Sequence, residues 1–328
     1  MNKEFFKYIF KFIAIILIVW AIFIGMARNF GMFIYDEEYA SYKQTLDYIN
    51  NATNDYNNVL IFGDSVAKAA VIPNLISDET YNISMAGATT IEQYYMLQDY
   101  LKNHEPPKNL IVMYFIGAYD SIDDFFWNRT IYFNCLTTPQ FFEIAKNNGF
   151  GDSSNTRACT SEFFQYKLCM PNKYLAPIKL SIFENNRYEI NKNEYEIAQK
   201  NKGQHYFGTA EFYESDNVTI TGKQHFEVLP IIDLYMNKCI ELCKENNIQV
   251  IIEQHPINES TYANMKIEYK QEYIDYMKSL KDKYPEIIVN TEYNVCPNNW
   301  LGDFSHLNEN GATKFTESLK QKYADYLN

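Results

Sequence analysis

Five short apolar runs, each closed by a glycine or a polar turn, constrain this chain more than any other feature. Val59-Leu60-Ile61-Phe62 ends at Gly63, and Tyr81-Asn82-Ile83-Ser84 stops before Gly87. Leu110 to Ile116, the strongest run, follows a break at Pro106-Pro107, and Ile248 to Glu253 and Ile287-Ile288-Val289 come after a long interval. Runs of this length without strict alternation suit strands buried on both faces, as in a parallel sheet. Between them, Ile91, Tyr94, Tyr95, Leu97 and Leu101 recur near a period of 3.6 in a helix starting at Thr90. Further helices are expected at about 226–245, 265–283 and 309–326. The expected class is α/β: a doubly wound, five-stranded parallel sheet. Ligands of such sheets sit outside the carboxyl ends of the strands, where Ser65, Gly87, Gly117 and the segment after Val289 fall.

From about 121 to 222 the alternation lapses into an aromatic, Asn-rich stretch too long for a simple loop, and we read it as an insertion. At the other end, Phe12 to Ala27 carries no charge. With Tyr8, Ile9 and Phe10 included and Lys11 snorkelling, the stretch reaches the ~20 residues of a bilayer crossing. Lys3, Lys7 and Lys11 precede it, whereas only Arg28 follows before Asp36, Glu37 and Glu38, a bias that puts the N-terminus in the cytoplasm and the body outside. Residues 1–30 are therefore read as a cytoplasmic tip and transmembrane anchor. The alternative is a cleaved leader, since Gly25-Met26-Ala27 offers small residues at a peptidase spacing. Residues 31–57 read as a linker whose polar helix, Tyr39 to Asn51, stands the body off the membrane. The rest, 58–328, is one large domain.

The formal charge of −12 and the absence of a Lys/Arg cluster argue against nucleic acid as a partner. The six cysteines (Cys135, Cys159, Cys169, Cys239, Cys243, Cys296) contain no C-x-x-C spacing. Cys159 with Cys169 would close a small loop and Cys239 and Cys243 fall one helical turn apart, but each is as readily a reduced thiol, and no metal site is expected.

Two segments carry chemistry. Phe62-Gly63-Asp64-Ser65 closes the first run, and Gly302-Asp303-Phe304-Ser305-His306-Leu307-Asn308 precedes the last helix. A serine hydroxyl is a poor nucleophile until an imidazole takes its proton, the role His306 would play. Asp303 can hold the other ring nitrogen and stabilise the imidazolium. Each segment alone is as well explained by turn and cap chemistry, because Asp and Ser are also favoured N-caps. Their joint occurrence at strand ends favours a nucleophile, base and carboxylate. Asp64 is assigned to holding its loop.

With these motifs the chain resembles the SGNH hydrolase superfamily of esterases and acyltransferases. Phe62-Gly63-Asp64-Ser65 resembles its first block, Ser84-Met85-Ala86-Gly87 its second and Asp303-Phe304-Ser305-His306 its last. The resemblance covers about 59–326, apart from much of the insertion. It implies a flavodoxin-like sheet, Ser65 as nucleophile, Ser65 and Gly87 N–H groups in an oxyanion hole, and no metal or organic cofactor. One block departs: where the family has Gly-x-Asn-Asp, with the Asn as third oxyanion donor, this chain has Gly117-Ala118-Tyr119-Asp120. The Tyr119 hydroxyl and the Asn128 amide are candidates to replace it. Arg129 either grips a phosphate or carboxylate of the substrate or pairs with Asp120, Asp123 or Asp124. His255 either lines the cleft or packs as a neutral imidazole. A single span before such a domain is similar to membrane-tethered members that work with membrane-bound O-acyltransferases. The resemblance thus implies an acylated donor and a cell-surface polymer acceptor, with a deacylating esterase or an inactive glycan-binding protein as alternatives.

Overall fold

The computed structural model describes residues 3–51, 58–122, 124–146, 156–168 and 186–327, with Lys179 and Phe183; for 156–159 it describes the backbone alone. Its frame is a five-stranded, wholly parallel sheet. In chain order the strands are β1 (Val59–Gly63), β2 (Thr80–Asn82), β3 (Asn109–Met113), β4 (Gln249–Ile252), β5 (Pro256–Asn258), β6 (Ile288–Val289) and β7 (Asn294–Cys296). They are arranged β2-β1-β3-β4-β6, with β5 and β7 paired in a small second sheet. Register runs from Val59 opposite Asn109 to Gly63 opposite Met113. The chain leaves β1 toward one edge and returns to β3 on its other side, so the order reverses at the β1/β3 pair.

Pleating sorts the apolar runs onto two faces. Leu60, Phe62, Leu110, Val112, Val250 and Ile252 join one core cluster, and Val59, Ile61, Ile111, Met113 and Ile251 join another. Helices Thr90–Asn103, Pro230–Glu245 and Ile267–Lys283 cover the first face with Ile91, Leu97, Tyr235, Met236, Tyr273 and Met277. Helices Ser65–Ala70 and Glu309–Lys322 cover the second with Ala67, Ala70, Ala312, Phe315 and Leu319. Each large apolar side chain so buried contributes about 1.5–3 kcal/mol.

Several boundaries differ from the sequence reading. The run from Leu110 stops being strand at Met113, because the Phe115 N–H turns to the Asp64 carboxylate at 2.9 Å and a 3₁₀ turn, Ile116–Ala118, follows. The helix expected from 226 begins at Pro230, whose fixed φ suits the first helical position. The last helix ends at Lys322, and a short helix, Ala324–Leu327, follows.

One expectation is corrected. The polar helix forms at Glu38–Asn50, but it is no spacer: Tyr42, Gln44, Thr45, Tyr48 and Ile49 are buried against the body. The described part of the insertion holds a π-helical turn, Phe126–Ile131, and helices Thr138–Lys146, Thr156–Lys167 and Arg187–Lys200. The last of these clasps the segment that follows the apolar N-terminal helix. Asn191 donates to the carbonyls of Met32 and Tyr35 at 2.8 and 3.0 Å, and Tyr195 to Asp47 at 2.9 Å.

The N-terminal helix, Lys3–Asn29, has 27 residues, or about 40 Å at 1.5 Å per residue, and is long and apolar enough to span a bilayer. Trp20 Nε1 donates to the Leu168 carbonyl at 3.0 Å, which ties the insertion to this helix. Cys135, Cys239, Cys243 and Cys296 are free thiols. The Cys159 side chain and Cys169 lie outside the described residues.

A Cβ at Gly63 would sit 1.8 Å from the Met113 carbonyl oxygen and 2.7 Å from Ala67 Cβ. Both obstacles are fixed by β3 and the following helix, so Gly63→Ala is expected to cost about 3 kcal/mol or more. Gly25→Ala, where a Cβ meets nothing within 4 Å, should leave stability unchanged. Thermal unfolding of the detergent-solubilised full chain, followed by near-UV circular dichroism, checks both.

Candidate active site

The site begins with a tight turn. β1 ends at Gly63, Asp64 caps the next helix by accepting the Val66 N–H at 3.0 Å, and Ser65 occupies the helix's first position. The other Asp64 oxygen accepts the Phe115 N–H beyond β3, so one buried carboxylate joins the ends of the two central strands. Burial pushes the pKa of Asp64 up to about 6, against the opposing pull of those N–H donors and of His306.

His306 reaches Ser65 from the far end of the chain. An antiparallel bridge between Leu301 and Leu307, with Gly302 N–H donating to the His306 carbonyl at 2.9 Å, closes the loop that carries it. Asn308 then caps the last helix by accepting the Gly311 N–H at 2.9 Å. His306 Nε2 lies 2.8 Å from Ser65 Oγ, and Nδ1 lies 2.8 Å from Asp303 Oδ2. The carboxylate can only accept, so Nδ1 carries the proton and Nε2 presents a lone pair to the serine hydroxyl. Asp303 Oδ1 also accepts the N–H groups of Ser305 and His306 at 2.8 and 2.7 Å. Burial raises its pKa, but the His306 bond, the imidazole's charge and the two N–H donors outweigh burial and hold the carboxyl below its usual range. The Phe207 ring, 4.9 Å from the imidazole, covers it.

Gly87 is placed by the loop after β2. Met85 N–H donates to the Gly63 carbonyl at 3.1 Å, Lys68 Nζ to the Ser84 carbonyl at 3.0 Å, and the Tyr42 hydroxyl to the Ala86 carbonyl. Gly87 has φ +66°, and a Cβ there would meet the Phe125 side chain at 2.8 Å, so both conformation and space call for glycine. Among the described residues neither the Ser65 nor the Gly87 N–H donates to another group. Both residues line a cavity of about 590 Å³ with His306, walled by Phe115, Phe125, Phe207 and Phe304.

Other candidates are placed differently. Tyr119 does not line the cavity: the 3₁₀ turn before it presents Gly117 and Ala118, and its ring is buried against Tyr114, Tyr273 and Tyr276. Asn128 is exposed on the π-helical turn, outside the lining. Arg129 does line the cavity, but its ion-pair partner is Glu38, with Nε to Oε2 at 2.6 Å and Nη2 to Oε1 at 2.5 Å. Asp120 instead holds Lys223 at 2.5 Å and the Tyr269 hydroxyl at 3.0 Å, and Asp123 lies outside the described residues. His255 is buried outside the cavity, and burial together with the His306 charge brings its pKa down to about 3. It packs as a neutral imidazole 5.3 Å from the Phe115 ring. Sequence reasoning missed Glu38, Phe125, Phe207 and Lys223, which no local pattern marks. Among the described residues no group of three or more His, Cys, Asp or Glu could hold a metal ion.

Chemically, the arrangement can pass the Ser65 proton to His306 Nε2 while Asp303 supports the imidazolium. Ser65, at the strand-to-helix turn, and Gly87, in the loop after β2, both line the cavity, and their N–H groups donate to no other described residue. No protein-family model and no curated protein matches this chain.

Because Asp64 has a higher pKa folded than its unfolded value of 3.8, the folded chain holds that proton more tightly. Its contribution to stability, about 2–3 kcal/mol, is fully present below pH 3.8 and is lost as pH rises through about 6. Asp64→Asn removes this slope. Urea unfolding at pH 4 to 7 should show wild type losing stability relative to the variant as pH rises, and a constant difference would refute the assignment.

Proposed function

We propose that this chain is an extracytoplasmic serine acyl-transfer enzyme of the SGNH type, anchored by its N-terminal helix with the N-terminus in the cytoplasm. The observation that carries the reading is the continuous chain from Ser65 Oγ through His306 to Asp303, with both contacts at 2.8 Å. The strand order β2-β1-β3-β4-β6 agrees with a flavodoxin-like sheet, and the site lies at its switch point, where such sheets bind ligands. Ser65 attacks an acyl ester or thioester, its proton moves to His306, and the leaving group takes that proton as the acyl-enzyme forms. A glycan or polyol hydroxyl, deprotonated by His306, then attacks the acyl carbon, and the bond to Ser65 Oγ breaks as Oγ takes the proton back from His306. Acetyl or D-alanyl groups and a cell-surface glycan or teichoic-acid-like polymer are the proposed donor and acceptor classes, and a membrane-bound O-acyltransferase is the proposed partner.

The lining of the cavity favours transfer over hydrolysis. Four phenylalanines wall the cavity that Ser65 lines, and apolar surface beside the acyl-enzyme would disfavour water as the acceptor. Partition of a pre-formed acyl-enzyme between water and an added polyol tests this preference, and release to water alone would favour the esterase. The intact relay argues against a purely binding role.

A fluorophosphonate probe should label Ser65 in wild type but not in Ser65→Ala, and His306→Ala should lose nearly all labelling. Asp303→Asn should fold normally and lose about 10³–10⁴-fold in kcat through the wrong imidazole tautomer. Failure of the folded wild type to label would overturn the enzyme reading in favour of a binding protein.

A further inference from the structure

The serine reading leaves its oxyanion with two backbone donors, and neither Tyr119 nor Asn128 stands where a third is needed. The Gly87 corner of the cavity holds another donor. A Cβ built on Gly87 would lie 3.1 Å from Arg129 Nη1, so this nitrogen sits beside a glycine that lines the cavity. Nε and Nη2 are committed to the Glu38 carboxylate at 2.6 and 2.5 Å. The guanidinium carbon lies 3.7 Å from the centre of the Phe125 ring, and the Arg129 side chain is only 15% exposed. Two charge-assisted bonds and an aromatic face fix the plane of the fork and leave Nη1 for the cavity.

We propose that Arg129 Nη1–H is the third donor to the oxyanion formed when Ser65 attacks, a charged group in place of a neutral amide. The inference rests on the serine acyl-transfer reading. As Ser65 Oγ bonds to the carbonyl carbon, its proton passes to His306 Nε2 and the C=O π pair moves onto oxygen. That oxyanion accepts hydrogen bonds from the Ser65 and Gly87 N–H groups and from Nη1. When it collapses, the C=O bond re-forms, the bond to the leaving oxygen breaks, and that oxygen takes the proton from His306. Glu38 compensates the cation before attack, so a largely buried positive charge is tolerated beside the phenylalanines of the cavity wall, and the developing negative charge meets a donor already in position. Glu38 is a positioning residue here.

The test uses the full chain in detergent with p-nitrophenyl acetate, a small neutral ester that offers no anionic group to bind. Arg129→Gln should lower kcat by about 10²–10³-fold, the usual loss for one oxyanion donor, with KM nearly unchanged. Arg129→Lys, which keeps the charge but not the fixed Nη1, should recover only part of this, and added guanidinium should raise the turnover of Arg129→Ala. Glu38→Gln should give a smaller fall in kcat. A kcat for folded Arg129→Gln within about threefold of wild type would overturn the proposal. So would a loss confined to the KM of anionic esters, which would make Arg129 an anion-binding residue. If Arg129→Gln does not fold, the Lys variant and the guanidinium rescue decide. Wild-type protein that neither labels at Ser65 nor turns over the ester overturns the serine reading itself, and this assignment with it.

Discussion

One buried carboxylate holds the site together. Asp64 accepts an N–H from the start of the Ser65 helix and another from beyond β3, and so fixes two neighbouring strand ends at the point where the sheet reverses its winding. A neutral side chain of the same shape would accept only one of these bonds well, and a buried N–H left unpaired costs about 1–3 kcal/mol. Burial makes the charge expensive at Asp64, yet it supplies two directed acceptor atoms where the hydroxyl must not wander. Behind it, Gln93 donates to the Gly63 carbonyl and accepts from the Tyr114 hydroxyl, so the turn is braced from the core side as well. Ser65 is aimed by this frame before any contact with His306.

The imidazole is aimed independently. Its loop is closed by the bridge between Leu301 and Leu307, and Gly302 lies so close to Gly208 that a Cβ on it would meet the Gly208 carbonyl oxygen at 2.3 Å. The insertion is thus part of the machinery: it presses on the His306 loop through Gly208, caps the imidazole with Phe207 and supplies Phe125 and Arg129 to the cavity wall. Two frames built far apart in sequence converge within 2.8 Å, which requires both to be rigid.

Much of this was legible in the sequence because it is local. Apolar runs marked the strands, the period of 3.6 marked Thr90–Asn103, and the Asp303 to His306 spacing carried its own Asx turn. What local patterns cannot carry is the choice of distant partners. Tyr119 follows the right strand, but a 3₁₀ turn rotates its ring into an aromatic core, away from the cavity. For Arg129 the sequence offers either an anionic substrate group or the acids nearest in the chain as partner, yet Glu38, 91 residues away, takes it in a bidentate grip. The helix at Glu38–Asn50 looked solvent-exposed because Tyr, Gln and Thr occupy its buried face, where hydroxyls and amides find partners such as Ala86 and Tyr81. β5 and β7 were missed because three-residue strands containing Pro and Asn carry no periodic signal.

The Glu38 partnership ties the cavity to the segment nearest the apolar helix. An exposed ion pair contributes little, but this one is bidentate, stacked on Phe125 and continuous with a helix that buries six of its side chains into the body. Asn29 ends the apolar helix and Glu38 begins the buried polar one, with residues 30–37 between them. Fully extended, the nine steps from Asn29 to Glu38 reach at most about 32 Å, and the helical turn Gly31–Ile34 shortens that span. If the first helix crosses a bilayer, the cavity wall formed by Glu38 therefore stands no farther than this from the helix end. The Arg129 corner of the cavity is held by the same tether, because Glu38 grips its guanidinium at both ends.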